Sequence, residues 1–168
     1  EWDKGTETID VNSGQMGDVR RVTMVAAYAE DDWAITSCLK ANLGLRYTLA
    51  ATDGKNYQLL EPRVSLRWLL SDGMALKASY SRVSQNLHRL NTNNLLFATD
   101  LWVPITENIP LMKVDQWAIG YSYDLPFDLT FMLEGYYKNM KNLLEYRDGA
   151  GYMAGADNWE KQVAVGNG

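Results

Sequence analysis

Leu39-Lys40-Ala41-Asn42-Leu43-Gly44-Leu45-Arg46-Tyr47-Thr48-Leu49 is a stretch in which every odd position is apolar and every even position is polar or glycine. Successive side chains leave a strand on opposite sides, so a period of two is the signature of a strand with one oily and one wet face. A helix would scatter the same leucines around its circumference.

Working outward, the alternation recurs. Val64, Leu66 and Trp68 oppose Arg63, Ser65 and Arg67, and Leu76, Ala78 and Tyr80 oppose Lys77, Ser79 and Ser81. Further along, Trp117, Ile119, Tyr121 and Tyr123 oppose Gln116, Ala118, Gly120 and Ser122, and Leu129, Phe131, Leu133 and Tyr137 oppose Thr130, Glu134 and Lys138. Val22, Met24, Ala26 and Tyr28 form a weaker first example, because Val25 and Ala27 lie between them. The pattern predicts an all-β antiparallel meander with strands at 20–34, 38–51, 61–70, 74–84, 114–124 and 128–146, and a possible seventh beginning near Trp159. Residues 1–19, polar and without an apolar period, read as a loop. Short turns at Thr36-Ser37, Ser71-Asp72-Gly73 and Pro126-Phe127-Asp128 interleave with longer links at 52–60, 85–113 and 147–158. Short turns at one rim and long links at the other are the mark of an up-and-down meander with unequal ends.

Strand length and aromatic placement separate a membrane barrel from a soluble sandwich. Globular strands average about five or six residues, whereas a tilted strand crossing a bilayer needs about nine to eleven; all six predicted strands reach that length. The chain has 10 Tyr and 6 Trp but only 3 Phe, a bias toward rings with a polar edge that suits a boundary between oil and water. Most fall near strand ends or on the apolar face, among them Tyr28, Trp33, Tyr47, Trp68, Tyr80, Trp117, Tyr121, Tyr123 and Tyr137, as membrane-surface girdles do. Leu43, Leu45, Leu66, Trp68, Leu76, Ile119 and Leu133 are accordingly expected to meet lipid. Arg46, Arg67, Lys77 and Glu134 are expected to face the lumen, since a charge at the midplane of the lipid face costs about 2–4 kcal/mol.

Composition narrows the function classes. Of 168 residues 46% are apolar and 22% charged, which argues against disorder. The 16 Lys+Arg against 21 Asp+Glu give a net charge of -5, with no long run of one sign, which argues against a general nucleic-acid binder. The longest apolar run, Met24 to Ala29, is far short of the roughly 20 residues of a membrane-spanning helix. One cysteine, Cys38, and one histidine, His88, make neither an intramolecular disulfide nor a Cys/His metal site. The N-terminus has neither the basic start nor the apolar core of a signal peptide.

Several segments resemble a known family. Tyr28-Ala29-Glu30-Asp31-Asp32-Trp33, followed by Leu39 to Tyr47, resembles adjoining barrel strands of TonB-dependent outer-membrane receptors. Glu61-Pro62-Arg63-Val64-Ser65-Leu66 and Lys77-Ala78-Ser79-Tyr80-Ser81-Arg82 are similar to the next hairpin of that family. Asp115 to Tyr121 and Glu134-Gly135-Tyr136-Tyr137-Lys138 are similar to the one after it. Asp100-Leu101-Trp102-Val103-Pro104 resembles members from Bacteroidetes-type bacteria. The resemblance implies a bacterial outer-membrane location, contact with outer-membrane lipid, and active uptake of a small nutrient such as an iron chelate, a cobamide or a glycan. It also implies energy delivered by TonB through a plug inside the barrel. This chain is expected to be a single barrel segment over 1–168, about a third of a roughly 22-stranded wall, with the plug absent.

Single residues carry less. Glu30-Asp31-Asp32, Asp100 with Glu107, and Glu134 are candidate catalytic carboxylates, but no spacing sets an acid and a base across a substrate. They read as solvated rim residues, and the chain does not read as an enzyme; no cofactor or metal is implied. His88 reads as a solvated loop histidine and Cys38 as an incidental thiol. The 85–113 link is long enough to be functional, and His88, Arg89, Asp100, Trp102 and Glu107 within it form the candidate ligand-contacting set. The other reading of that link is a lid packed over the barrel mouth. Two alternatives from other classes are a soluble secreted β-sandwich that binds a ligand, and a complete small outer-membrane barrel with a structural or adhesive role.

Overall fold

A computed structural model describes residues 2–12, 19–52, 54–91, 100–147 and 160–168. Its strands are β1 (Trp2–Asn12), β2 (Val19–Ala34), β3 (Leu39–Ala51), β4 (Asn56–Ser71), β5 (Met74–Gln85), β6 (Leu87–Asn91), β7 (Asp100–Pro104), β8 (Met112–Leu125), β9 (Leu129–Tyr146) and β10 (Val163–Asn167). Eight of them form one sheet in the order β1-β2-β3-β4-β5-β8-β9-β10, and β6 pairs with β7 in a separate two-stranded sheet. Every pairing is antiparallel.

Register carries the sequence alternation across the sheet. Ala41, Leu66, Ala78 and Ile119 stand side by side on four adjacent strands, and the neighbouring row is Lys40, Arg67, Lys77, Gly120 and Glu134. Adjacent rows point to opposite faces, so Leu43, Leu45, Leu66, Trp68, Leu76, Ile119 and Leu133 share one face and Arg46, Arg67, Lys77 and Glu134 the other, as expected. The apolar face has no covering layer among the described residues: Ile119 is 57% exposed, Leu133 63% and Tyr137 64%. Trp117, Ile119, Tyr121, Tyr123 and Leu125 alternate along β8 over the nine or so residues that cross a bilayer. A soluble sandwich would bury such a face against a second sheet.

Four boundaries differ from the sequence reading. Trp2–Asn12 is not a loop but β1, aligned with β2 from Trp2↔Ala29 to Asn12↔Val19. An unpaired strand edge recruits a partner through backbone groups, whatever its side-chain period, and Thr6, Thr8, Ile9 and Val11 are good strand formers. The link 52–60 shrinks to a tight connection, because β4 starts at Asn56 and Thr52 N–H donates to the Lys55 carbonyl at 3.0 Å. The long link 85–113 contains the β6–β7 hairpin. The seventh predicted strand corresponds to β10, which begins at Val163; Trp159 lies outside the described residues. Among the described residues the large sheet thus has eight strands where six or seven were expected, with β1 and β10 at its edges.

The short turns stand where the sequence puts them. Gly73 turns with φ +84° between β4 and β5, and Phe127 and Asp128 take the left-handed region between β8 and β9.

Candidate functional site

The polar face is built from alternate residues of β2 to β9. Lys40, Arg67 and Lys77 adjoin on three strands, and Gly120 separates them from Glu134. A Cβ on Gly120 would lie 3.4 Å from Glu134 Cγ, so the glycine leaves room for that side chain to lie across the sheet. Nearby, Asn42 Nδ2 donates to Glu30 Oε1 at 2.7 Å and to Asp32 Oδ1 at 2.9 Å. A hollow of about 830 Å³ opens on this face, with Asn42, Arg67, Lys77, Gln116 and Glu134 in its lining.

Where β4 leaves β5, a carboxylate takes over from the backbone ladder. Pro62 has no N–H to donate, and the β4–β5 pairing runs only from Arg63↔Ser81 onward. Buried Glu61 bridges the gap: its Oε1 accepts the Ser84 N–H at 2.7 Å and the Ser84 hydroxyl at 2.5 Å. Its Oε2 accepts the Thr48 hydroxyl at 3.2 Å and faces Arg46 Nε at 3.6 Å. A buried charge is tolerated only with partners of this kind.

At the rim of the long connections the β6–β7 hairpin and residues 105–111 fold onto this polar face. Leu90, Val103 and Ile109 pack with Leu144 and Val163 in one apolar cluster. Ile105 and Leu111 pack with Val22, Ala50 and Leu59 in another. Hydrogen bonds fasten the same segment: Ile105 N–H donates to Asn86 O at 3.0 Å, Tyr57 Oη to Thr106 O at 2.7 Å, and Asn142 Nδ2 to Leu111 O at 2.8 Å. Asn142 is an extra, left-handed residue (φ 62°) where the β9–β10 register shifts, a conformation asparagine tolerates. Among the described residues, three of the five largest fully buried side chains, Leu90, Ile105 and Leu111, therefore belong to the segment that reads, from sequence, as the longest loop.

The five candidate residues are not one constellation. His88 is 4% exposed, and its Nε2 lies 2.9 Å from the Pro110 carbonyl. It is a core histidine, not a solvated loop residue, because alternation within β6 turns it inward with Leu90. Burial pushes its pKa below the usual histidine range, against a smaller opposing pull from the Pro110 carbonyl, so the neutral ring donates Nε2–H. Arg89 and Trp102 face each other across the hairpin on its exposed side. Asp100 pairs with Asn91 at the hairpin's far end. Glu107 is exposed elsewhere, packed over Gly54 in the β3–β4 connection. The structure thus brings together Arg89 and Trp102 and separates them from His88 and Glu107. Glu61 and Tyr57 were missed by the sequence reading; a Glu-Pro pair inside an alternating stretch was the available signal for the first.

The carboxylates weighed for catalysis are also divided. Asn42 holds Glu30 and Asp32 on the polar face, while Asp31 accepts the Trp33 indole N–H on the other. Among the described residues no group of three or more His, Cys, Asp or Glu is placed to hold a metal.

One sheet with a bare apolar face, a charged opposite face, short turns at one rim and a packed hairpin at the other is the wall of a transmembrane β-barrel. The family model for the TonB dependent receptor-like β-barrel matches residues 2–167, and the chain belongs to that family. The family comprises outer-membrane receptors and transporters. No curated protein and no solved structure matches the chain.

Proposed function

We propose that this chain forms part of the wall of an outer-membrane receptor that takes up a specific nutrient, an iron chelate, a cobamide or a glycan, with energy delivered through TonB. The polar face lines the solute path, and the rim hairpin offers Arg89 and Trp102 to the ligand, a cation and a large ring that suit a polar or anionic group with a flat or apolar part. The long connections then lie on the outer side of the membrane and the short turns on the periplasmic side. The observation that carries the reading is the charged hollow on one face of a sheet whose other face is apolar over a membrane's thickness.

Uptake of radiolabelled ferric chelates, cobalamin and oligosaccharides tests this, in cells lacking the gene and in cells with it restored. Accumulation of one of these classes should depend on the protein and stop when the inner-membrane proton gradient is collapsed. In the full-length protein, Arg89→Ala with Trp102→Ala should lower that uptake several-fold without changing the amount of assembled barrel. Unchanged uptake in the double variant would remove the hairpin from the ligand path. Uptake indifferent to the proton gradient would overturn the active-transport reading.

A further inference from the structure

The outward face changes character at one level. Tyr80, Trp117 and Tyr137 stand in register on β5, β8 and β9, their ring centroids 5.3 and 5.7 Å apart in sequence across the strands. The next outward row toward the long connections is Arg82, Asp115 and Asn139, and the row after it is Ser84, Lys113 and Lys141. Arg82 Nε donates to Asp115 Oδ1 at 2.7 Å, and Tyr80 Oη donates to the same oxygen at 2.7 Å. This pair anchors the guanidinium just above the aromatic row.

Lys113 and Lys141 are both exposed and directly opposite one another on adjacent strands. Like charges facing across a ladder are destabilising. Lys141 acts on Asp115, a carboxylate that Arg82 already engages. The group of Arg82, Lys113, Lys141 and Asp115 therefore carries an excess of two positive charges. Beside it, where β4 parts from β5, a cleft of about 100 Å³ is lined by Gln58, Leu59, Leu60, Glu61, Arg82, Ser84 and Lys113, and the Glu61 carboxylate within it is already held by Ser84, Thr48 and Arg46.

From this arrangement we infer that Arg82, Lys113 and Lys141 dock the phosphate of a membrane lipid headgroup in the leaflet on the long-connection side. Acyl chains run along the apolar rows below, the aromatic row marks the interface, and headgroup phosphates lie at the level of the cations. Arginine supplies planar donors and the two lysines supply point charges, a set suited to phosphate oxygens. The bound phosphate relieves the repulsion between the two lysines. A free phosphate would meet the same cations without the acyl contact along Ile119, Tyr121 and Leu133. The inference rests on the membrane placement of the chain and not on the transport reading, and its test does not measure uptake.

The test uses the full-length protein purified from outer membranes in mild detergent. The probes are bisphosphorylated lipid A, the same lipid with its phosphates removed, and inorganic phosphate, with bound lipid measured by native mass spectrometry. The phosphorylated lipid should bind, its dephosphorylated form should bind about tenfold or more weakly, and inorganic phosphate should not displace it. Lys113→Gln with Lys141→Gln should weaken binding of the phosphorylated lipid by about tenfold or more. Lys113→Arg with Lys141→Arg, and Lys138→Gln on the polar face, should leave it within about twofold. Assembly of each variant is checked by heat-modified gel migration, and the wild-type comparison of the two lipids stands even if the glutamine variant fails to assemble. Equal binding of the two lipids, or undiminished binding by an assembled glutamine variant, would overturn the proposal. Displacement of the lipid by inorganic phosphate at equal concentration would show an anion site with no lipid specificity and overturn it as well.

Discussion

His88 Nε2 sits 2.9 Å from the carbonyl oxygen of Pro110, joining the start of the rim hairpin to the chain that leads into β8. The imidazole is buried, which disfavours its charged form and sets its folded pKa below that of the unfolded chain. As pH falls through the unfolded value of about 6.5, the unfolded state takes up the proton first, so stability of the hairpin falls with it. Amide hydrogen exchange of Leu87–Asn91, corrected for intrinsic rates, should show more frequent opening at pH 5 than at pH 7.5. His88→Asn should remove most of that difference. Equal protection at the two pH values in the wild-type protein would show that His88 does not govern the hairpin.

The same segment should behave as a core. Leu90 and Ile105 are each 1% exposed, and truncating a fully buried aliphatic side chain typically costs about 2–5 kcal/mol. Leu90→Ala and Ile105→Ala should therefore open the rim segment to limited proteolysis while the β2–β5 strands stay protected. Deleting Asn91 to Asn108 removes Val103, Ile105 and Thr106 together, and should reduce the yield of assembled barrel. Wild-type protease resistance in both alanine variants would mean that the hairpin is held by something other than its apolar clusters.

Glu61 offers a sharper local test. Removing its carboxylate leaves the Ser84 N–H without its acceptor in a place that Pro62 already keeps free of ladder pairing. A buried donor left unsatisfied costs about 1–3 kcal/mol. Glu61→Ala should lower the urea midpoint of the folded barrel in detergent by a corresponding amount. Ser84→Ala should do less, because the backbone N–H keeps its partner. An unchanged midpoint in Glu61→Ala would show that water replaces the carboxylate without loss.

What the sequence made legible follows from which forces leave a pattern in it. A face that meets lipid and a face that meets water impose a period of two, so β3 to β5, β8 and β9 can be read from residues such as Leu43, Leu66 and Ile119, whereas in β2 the faces read the wrong way round: Met24, Ala26 and Tyr28 stand opposite Ala50, Thr48 and Arg46 on the polar face, where Val22 packs under the rim segment. Backbone pairing leaves no such pattern, which is why β1 went unread although its ladder with β2 is continuous. The β6–β7 hairpin was obscured for another reason. Leu90, Val103, Ile105, Ile109 and Leu111 pack against the polar face at its rim, and the alternation of the last four is broken by Glu107 and by Pro104 and Pro110, which read as loop. His88 was misread with them, since inward and outward positions cannot be told apart in a segment without a visible strand. Of the candidate site, the pairing of Arg89 with Trp102 depends on that hairpin's register and was beyond reach of spacing alone.

A charge placed on the apolar face should be resisted. Ile119 stands mid-strand in the outward row with Leu66 and Ala78, and Ile119→Arg should cost about 2–4 kcal/mol of folding in lipid. Ala118→Arg, one residue away on the polar face, should cost far less. Comparable losses measured for the two by reversible unfolding into vesicles would contradict the assignment of faces.

The most direct measurement is nitroxide accessibility in the full-length protein reconstituted in bilayers. Labels at Leu66, Ile119 and Leu133 should collide readily with dissolved oxygen and rarely with a water-soluble nickel chelate, and labels at Ser65, Ala118 and Glu134 should show the reverse. This alternation, residue by residue along β4, β8 and β9, is what a barrel wall with one lipid face and one aqueous face requires. Equal access of both quenchers to the two sets would contradict it.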